Sequence, residues 1–276
     1  MKIDGRAIAK TIEQEVEEQV NHWKERGINI SLDAVIVGED EGSSIYNRQR
    51  MGACKRVGVE TNTIKLEGNI TQDELNRTLA TSNAHGVLLQ APLPKGLDYM
   101  EAISHLPPEK DVEAMHPINY GKLVFQGQLV PCTPLSVMTI LDRENVELKS
   151  KYVVIVNHSD ILGKPLALLL LKKNATVSVV HVFTKDMLSF TKEADVLIVG
   201  AGVPNLIKGD DIKPGCVVVD VGMNRVEGKV CGDVEYTSAE QVASKITPVP
   251  GGVGPVTVAS LLKNLMKCVE LQNTGH

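Results

Sequence analysis

The sequence predicts an α/β protein of two lobes around a cleft, the second lobe a doubly wound parallel sheet. Three observations carry this expectation. Segments with helical and strand periodicity alternate along the chain, the pattern of sheets covered by helices. A proline- and turn-rich stretch over 91–134 interrupts the alternation, yet apolar residues continue through it, so it reads as ordered loop lining a cleft. From Lys151 onward, "KYVVIVNHSDILGKPLALLLLKKNATVSVVHVF" places a strand, a tight turn, a helix and a second strand in one βαβ unit.

The elements follow in order. Ile8, Ile12, Val16 and Val20 recur every fourth position, with Trp23 next and charged or polar residues between, so the first helix is amphipathic. "LDAVIVG" is a buried strand, and "EDEGSS" is the loop before a helix over 44–57. "TNTIKLE" is the next strand. "TQDELNRTLATSN" is a helix that Thr71 caps, and "GVLLQ" is a third strand. A helix over 134–144 bridges to the second lobe. There "ADVLIVGAG" and "CVVVDVGMN" add buried strands and "RVEGKVCGDV" a short hairpin. The last helix, over 256–271, packs back on the first lobe. The expected division is 1–135 plus 258–276 for one lobe and 136–257 for a Rossmann-type lobe.

Composition narrows the function. A net charge of −5 without a basic block argues against a nucleic-acid partner, and 3% aromatics against a base-stacking surface. No apolar run has the length of a membrane span, and the first twenty residues lack the apolar core of a signal peptide. The five cysteines are scattered and odd in number, with no CxxC spacing. A disulfide framework and a zinc site are both unexpected, and a reducing cytoplasm is the expected compartment.

Three places carry candidate chemistry. In the βαβ turn, "NHSDILGKP", Asn157 stands where a dinucleotide fingerprint has its first glycine, a position an asparagine tolerates at positive φ. Ser159 offers a donor to phosphate, Gly163 permits close helix–strand packing, and Pro165 suits a first helical turn. Taken alone, this is equally an ordinary βα turn. The strand "SVVHV" ends without an acidic residue to grip a ribose diol. Thr184 and Lys185 follow and His158 lies in the turn, which favours NADP over NAD. The second place is "PGGVGP", Pro250 to Pro255, where more special residues precede a helix than a cap requires. The third is polar. Tyr46 and Arg50 share a helix face, Gln90 ends an apolar strand, and Asp111 and Glu113 lie near His116 in a loop. His116 has no partner at metal spacing and reads as structural.

Together these pieces resemble the FolD family, the methylenetetrahydrofolate dehydrogenase/cyclohydrolases. The resemblance runs through "IDGRAIA", "SSIYNRQRMGACKRVG", "GVLLQAPLPKGLD", "PPEKDVEAMHPINYGKL", "PCTPLSV", "HSDILGKPLALLL", "ADVLIVGAGVP", "VVVDVGMNR", "GDV" and "TPVPGGVGPVTVASLL", in that order. It implies NADP-linked oxidation of 5,10-methylenetetrahydrofolate to the methenyl form, then hydrolysis to 10-formyltetrahydrofolate. It also implies a homodimer joined through the Rossmann lobes, tetrahydrofolate derivatives as ligands, and no metal. Carried over by position, the catalytic set is Tyr46, Arg50, Gln90 and Glu113. Tyr46, Gln90, Pro250, Gly251, Gly252 and Pro255 bind substrate. Asn157, His158, Ser159, Gly163, Pro165, His181, Thr184, Gly200 and Gly252 bind the cofactor.

The chain departs from the family pattern at Arg50, where the family has lysine, and at Glu113–Ala114, where it has aspartate–glycine. It departs again at Asn157, in place of glycine, and at Val182, which often carries the serine or arginine for the NADP phosphate. Arginine stays protonated and is a poor proton shuttle. Two alternatives therefore stand beside the bifunctional reading: a dehydrogenase with little cyclohydrolase, and a folate- or nucleotide-binding protein without catalysis.

Overall fold

A computed structural model of the chain describes residues 1–38, 41–125 and 127–273, with the side chains of 41–46 excepted. The elements run α1 (Gly5–Glu25), β1 (Ser31–Val37), α2 (Glu41–Arg56), β2 (Glu60–Leu66), α3 (Gln72–Ala80) and β3 (Gly86–Leu89). Then come α4 (Tyr99–Ser104), α5 (Pro117–Lys122), α6 (Cys132–Arg143), β4 (Tyr152–Val156), α7 (Gly163–Lys172), β5 (Thr176–Val180), α8 (Met187–Thr191) and β6 (Val196–Val199). Finally there are β7 (Val217–Asp220), β8 (Asn224–Val226), β9 (Lys229–Cys231), α9 (Tyr236–Val242), β10 (Lys245–Ile246) and α10 (Val253–Asn273). The α/β class and the strands expected from the sequence are present. The proline-rich stretch also holds two short helices, α4 and α5, too brief to show a helical period.

The chain divides into two compact units. Residues 10–132 and 258–276 form one, and residues 1–9 and 133–257 form the other. The first is built on a parallel sheet of order β2-β1-β3. Its central strand buries Leu32, Ala34 and Val35 completely, as a strand covered on both faces requires. Ile12, Val16 and Val20 of α1 are buried at the predicted spacing. The Thr71 side chain accepts from Glu74 N while Glu74 returns a bond to Thr71 N, a reciprocal cap on α3. Asn264 of α10 donates to Val112 O and Val130 O, both at 2.8 Å, and so ties the last helix to the 107–131 loop.

The second unit holds a five-stranded parallel sheet of order β10-β7-β6-β4-β5 and the antiparallel β8–β9 hairpin. Strand β4 has its chain successor β5 on one side and β6 on the other, so the order reverses at β4/β6. That reversal is the switch point at which doubly wound sheets bind ligands beyond their carboxyl ends.

The first nine residues belong with this second unit, whereas the sequence assigns them to the first lobe. Lys2 bridges Ile246 in parallel, Ile3 N donates to Ile246 O at 2.8 Å and Ile246 N to Met1 O at 3.0 Å. The N-terminal segment therefore pairs with the otherwise open edge of β10. The five cysteines are free, and all but Cys231 are buried.

Candidate active site

In the 10–132 unit, α2, β3, α4 and the loop before α5 bring four polar side chains together. Arg50 Nη2 donates to Glu113 Oε1 at 2.8 Å, and the two side chains are only 9% and 21% exposed. Arg50 Nη1 donates to Gln90 Oε1 at 3.4 Å, just past the carboxyl end of β3. The Tyr99 hydroxyl donates to the other Glu113 oxygen, also at 3.4 Å. Arg50, Gln90 and Glu113 were expected from the sequence to act together, and the fold assembles them. Tyr99 was not foreseen. It lies 14 residues from Glu113 on a helix of six residues, and no periodicity marks it.

The cluster is electrostatically tense. Burial pushes the Glu113 carboxyl up; the Arg50 charge opposes this and the neighbouring Asp111 adds to it. Burial and the two carboxylates also push the Tyr99 phenol up, so it remains a donor. Asp111 is 1% exposed. Its Oδ2 accepts from His116 N at 2.7 Å and Asn119 Nδ2 at 3.3 Å, so it braces the loop. His116 Nδ1 accepts from Ile118 N at the start of α5, in keeping with its structural reading. Ala114, next to Glu113, sits buried at φ 55°, in the left-handed region. The Tyr46 side chain lies outside the described residues. One residue on, Asn47 Oδ1 is buried without a hydrogen-bond partner among the described residues.

In the other unit, the turn after β4 is organised by Asn157, but not through its backbone, which is not left-handed. Its Oδ1 accepts from Ser159 N at 2.8 Å, Ser159 Oγ at 2.7 Å and Gly163 N at 3.0 Å. Its Nδ2 donates to Gly200 O at 2.6 Å. One amide thus folds the turn and ties the ends of β4 and β6 together at the switch point. Gly163 allows the close approach expected of it, since a Cβ there would lie 2.0 Å from Asn157 O. A Cβ on Gly200 would meet Leu162 Cδ2 at 2.5 Å. Pro165 is buried in the first turn of α7.

Two groups expected to face phosphate are bonded within the turn. Ser159 spends its hydroxyl proton on Asn157. The helix start is largely self-satisfied too, because Gly163 N and Lys164 N are bonded within the turn and proline has no N–H. At the end of β5, the His181 ring lies 4.4 Å from that of His158, centroid to centroid. Thr184 Oγ1 accepts from His181 N at 2.9 Å, while Val182 is 84% exposed.

The glycine loop divides its labour. Gly251 takes φ 105° and is partly exposed beside exposed Pro250, with Pro255 half-buried. Gly252 is buried, and a Cβ there would meet Pro248 O at 2.6 Å and Thr247 Cβ at 2.7 Å. Gly252 thus serves a close approach within the chain itself. Behind the loop, the buried carboxylate of Asp220 accepts from the backbone N–H groups of Gly222, Asp233 and Val234. Burial lifts its pKa to about 6.

Comparison with known proteins follows the same division. Residues 3–113 match the catalytic-domain model of the tetrahydrofolate dehydrogenase/cyclohydrolases, and residues 131–273 match their NAD(P)-binding domain. The "Bifunctional protein FolD" of Methanococcoides burtonii is 47% identical over 270 residues, which cover 96% of this chain and 94% of the relative. The solved bifunctional FolD enzyme of Campylobacter jejuni superposes with a TM-score of 0.95 at 40% identity, covering 99% of each chain. The Trypanosoma brucei FolD structure, complexed with NADP and an inhibitor, has a TM-score of 0.94 at 37% identity and covers 100% of this chain and 99% of that one. Both domain models match in the family's order, and the similarity spans the length of the chain. This chain belongs to the tetrahydrofolate dehydrogenase/cyclohydrolase family.

Proposed function

We propose that the Arg50–Gln90–Glu113 cluster holds the folate and the Asn157 turn holds NADP in this enzyme's two reactions. These are oxidation of 5,10-methylenetetrahydrofolate to the methenyl form and hydrolysis of that form to 10-formyltetrahydrofolate. The observation that carries the assignment is the Arg50–Glu113 pair, a nearly dry ion pair at the carboxyl end of a parallel strand. A flat, donor-rich pterin offers N–H groups that match the carboxylate and the Gln90 carbonyl. The unpartnered Asn47 Oδ1 is a further acceptor on the same helix.

The residues of the β4 turn fit a dinucleotide. The backbone at Gly163 and Gly200 is packed too closely for any side chain, at the switch point of the sheet. When bound there, NADP supplies the hydride acceptor. The protein's own residues orient and exclude. Asn157 fixes the turn, the cis Val249–Pro250 peptide and Gly251 shape the exposed loop, and His181 at the end of β5 stands beside His158 of the β4 turn in place of an acid. The lack of an acidic side chain from Thr176 to Lys185 supports NADP over NAD.

Two assays on purified protein test the assignment: NADPH formation from methylenetetrahydrofolate, and decay of methenyltetrahydrofolate absorbance. Loss of folate affinity in Gln90→Ala and Glu113→Ala, with NADP affinity intact, supports it. Unchanged folate affinity rejects it. The family resemblance also supports a homodimer in the cytoplasm, and the mass of the particle in solution tests the first part. No described helix is long and apolar enough to cross a membrane.

A further inference from the structure

Water attack on the methenyl bridge needs a group that takes up a proton near neutral pH, and the cluster offers few. Arg50 stays charged, Gln90 does not titrate, and the Tyr99 phenol is held protonated by burial. Asp111 is 1% exposed and spends its Oδ2 on two donors of its own loop. Glu113 remains. Its side chain keeps 21% exposure, and Arg50 and Tyr99 hold one oxygen each.

We propose that Glu113 is the proton-exchanging group of the hydrolytic reaction, with Tyr99 as its positioning residue and Arg50 as a fixed counter-charge. The proposal rests on assigning the cluster to the folate site. In the first step the Glu113 carboxylate takes one proton from water as the water oxygen bonds to the bridge carbon. The cation is thereby discharged. In the second, the bond from the bridge carbon to the pterin-side nitrogen breaks and its electron pair goes to that nitrogen, which receives the proton held on Glu113. The hydroxyl proton passes to the freed carboxylate, and then to solvent, as the formyl C=O forms. One water is consumed and one proton released, with no redox change.

The geometry suits this role. Burial raises the Glu113 carboxyl above its ordinary value and the Arg50 charge opposes that rise, while contacts from Arg50 and Tyr99 fix its two oxygens in place. The charged and titratable groups facing it are Arg50 from α2, Tyr99 from α4, Asp111 from its own loop and Cys132 from the start of α6. Burial pushes the Cys132 thiol up, so it stays neutral. The Tyr99 bond lowers the Glu113 pKa, so its removal has a defined sign.

The test measures kcat and KM of both reactions against pH in Glu113→Gln and Tyr99→Phe. Glu113→Gln is expected to lower cyclohydrolase kcat by about a hundredfold or more while dehydrogenase kcat falls far less. Tyr99→Phe is expected to move the acidic limb of the cyclohydrolase kcat profile to higher pH, and by more than it moves the dehydrogenase profile. Equal losses in both reactions of Glu113→Gln would mean that Glu113 only holds folate, which overturns the proposal and keeps the site. No change in kcat or KM of either reaction would overturn the site assignment itself. An unmoved limb in Tyr99→Phe would remove Tyr99 from the role.

Discussion

Asn157 makes four hydrogen bonds where a dinucleotide fingerprint would have a glycine without a side chain, and Asn157→Ala removes all of them at once. The groups left behind differ. Ser159 N and Oγ lie in a half-exposed turn and regain water, as does the Gly200 carbonyl, at about 0.5 kcal/mol each. Gly163 is buried at the start of α7, and its stranded N–H costs about 1–2 kcal/mol. The sum is about 3 kcal/mol, which lowers Tm by about 6–12 °C for a chain of this size. Asn157→Asp separates the bonds. It keeps the acceptor for Ser159 and Gly163 but sets an oxygen against Gly200 O, now 2.6 Å from the amide nitrogen, and adds a negative charge beside the turn proposed to hold NADP. Its Tm is expected to fall less than that of the alanine variant, and its NADP Kd to rise by about tenfold, or 1.4 kcal/mol. Thermal unfolding without ligand and titration with NADP read the two effects, and folate affinity is the control. An Asn157→Ala protein with an unchanged Tm and an unchanged NADP Kd would refute the claim that this amide organises the turn.

Three further outcomes follow from the packing. Gly252→Val places a Cβ within 2.7 Å of both Pro248 O and Thr247 Cβ, so it should lower Tm and soluble yield together with activity; a normal Tm with lost activity would restore a ligand-facing role. Ala114→Gly relieves a left-handed alanine and should stabilise the protein by about 1 kcal/mol, a Tm gain of about 2–4 °C, whereas a lower Tm contradicts the strain. Asp220 is raised from 3.8 to about 6, so its contribution to stability is complete below the unfolded value and is lost as pH rises through the folded one. Wild type should therefore lose stability relative to Asp220→Asn between about pH 4 and pH 6, and parallel denaturation curves across that range would disprove it.

What the sequence made legible was local. The fourfold spacing of Ile12, Val16 and Val20, the Thr71–Glu74 pair and the apolar runs at 32–37 and 196–199 each encode an element within a few residues. Ordered motifs then placed Arg50, Gln90 and Glu113 in one site. The features that escaped depend on partners far along the chain. Tyr99 reaches Glu113 only because two short helices fold the proline-rich loop. Asn157 matters through Gly200, 43 residues on, rather than through the backbone freedom that motif reasoning credits to it. A glycine-rich loop before a helix has two physical explanations, a ligand or the chain's own backbone, and the second shows at Gly252 only once Pro248 O is placed beside it.

The pairing of Ile3 with Ile246 has a consequence for folding. The segment around Ile3 finds its partner 243 residues along the chain, and Val112 finds Asn264 152 residues along. Helix α10 contributes residues to both units, so neither is complete without it. Contacts so far apart in sequence predict slow folding that depends on protection from aggregation. Removing the chain from Val253 onward would disable both halves of the molecule rather than one.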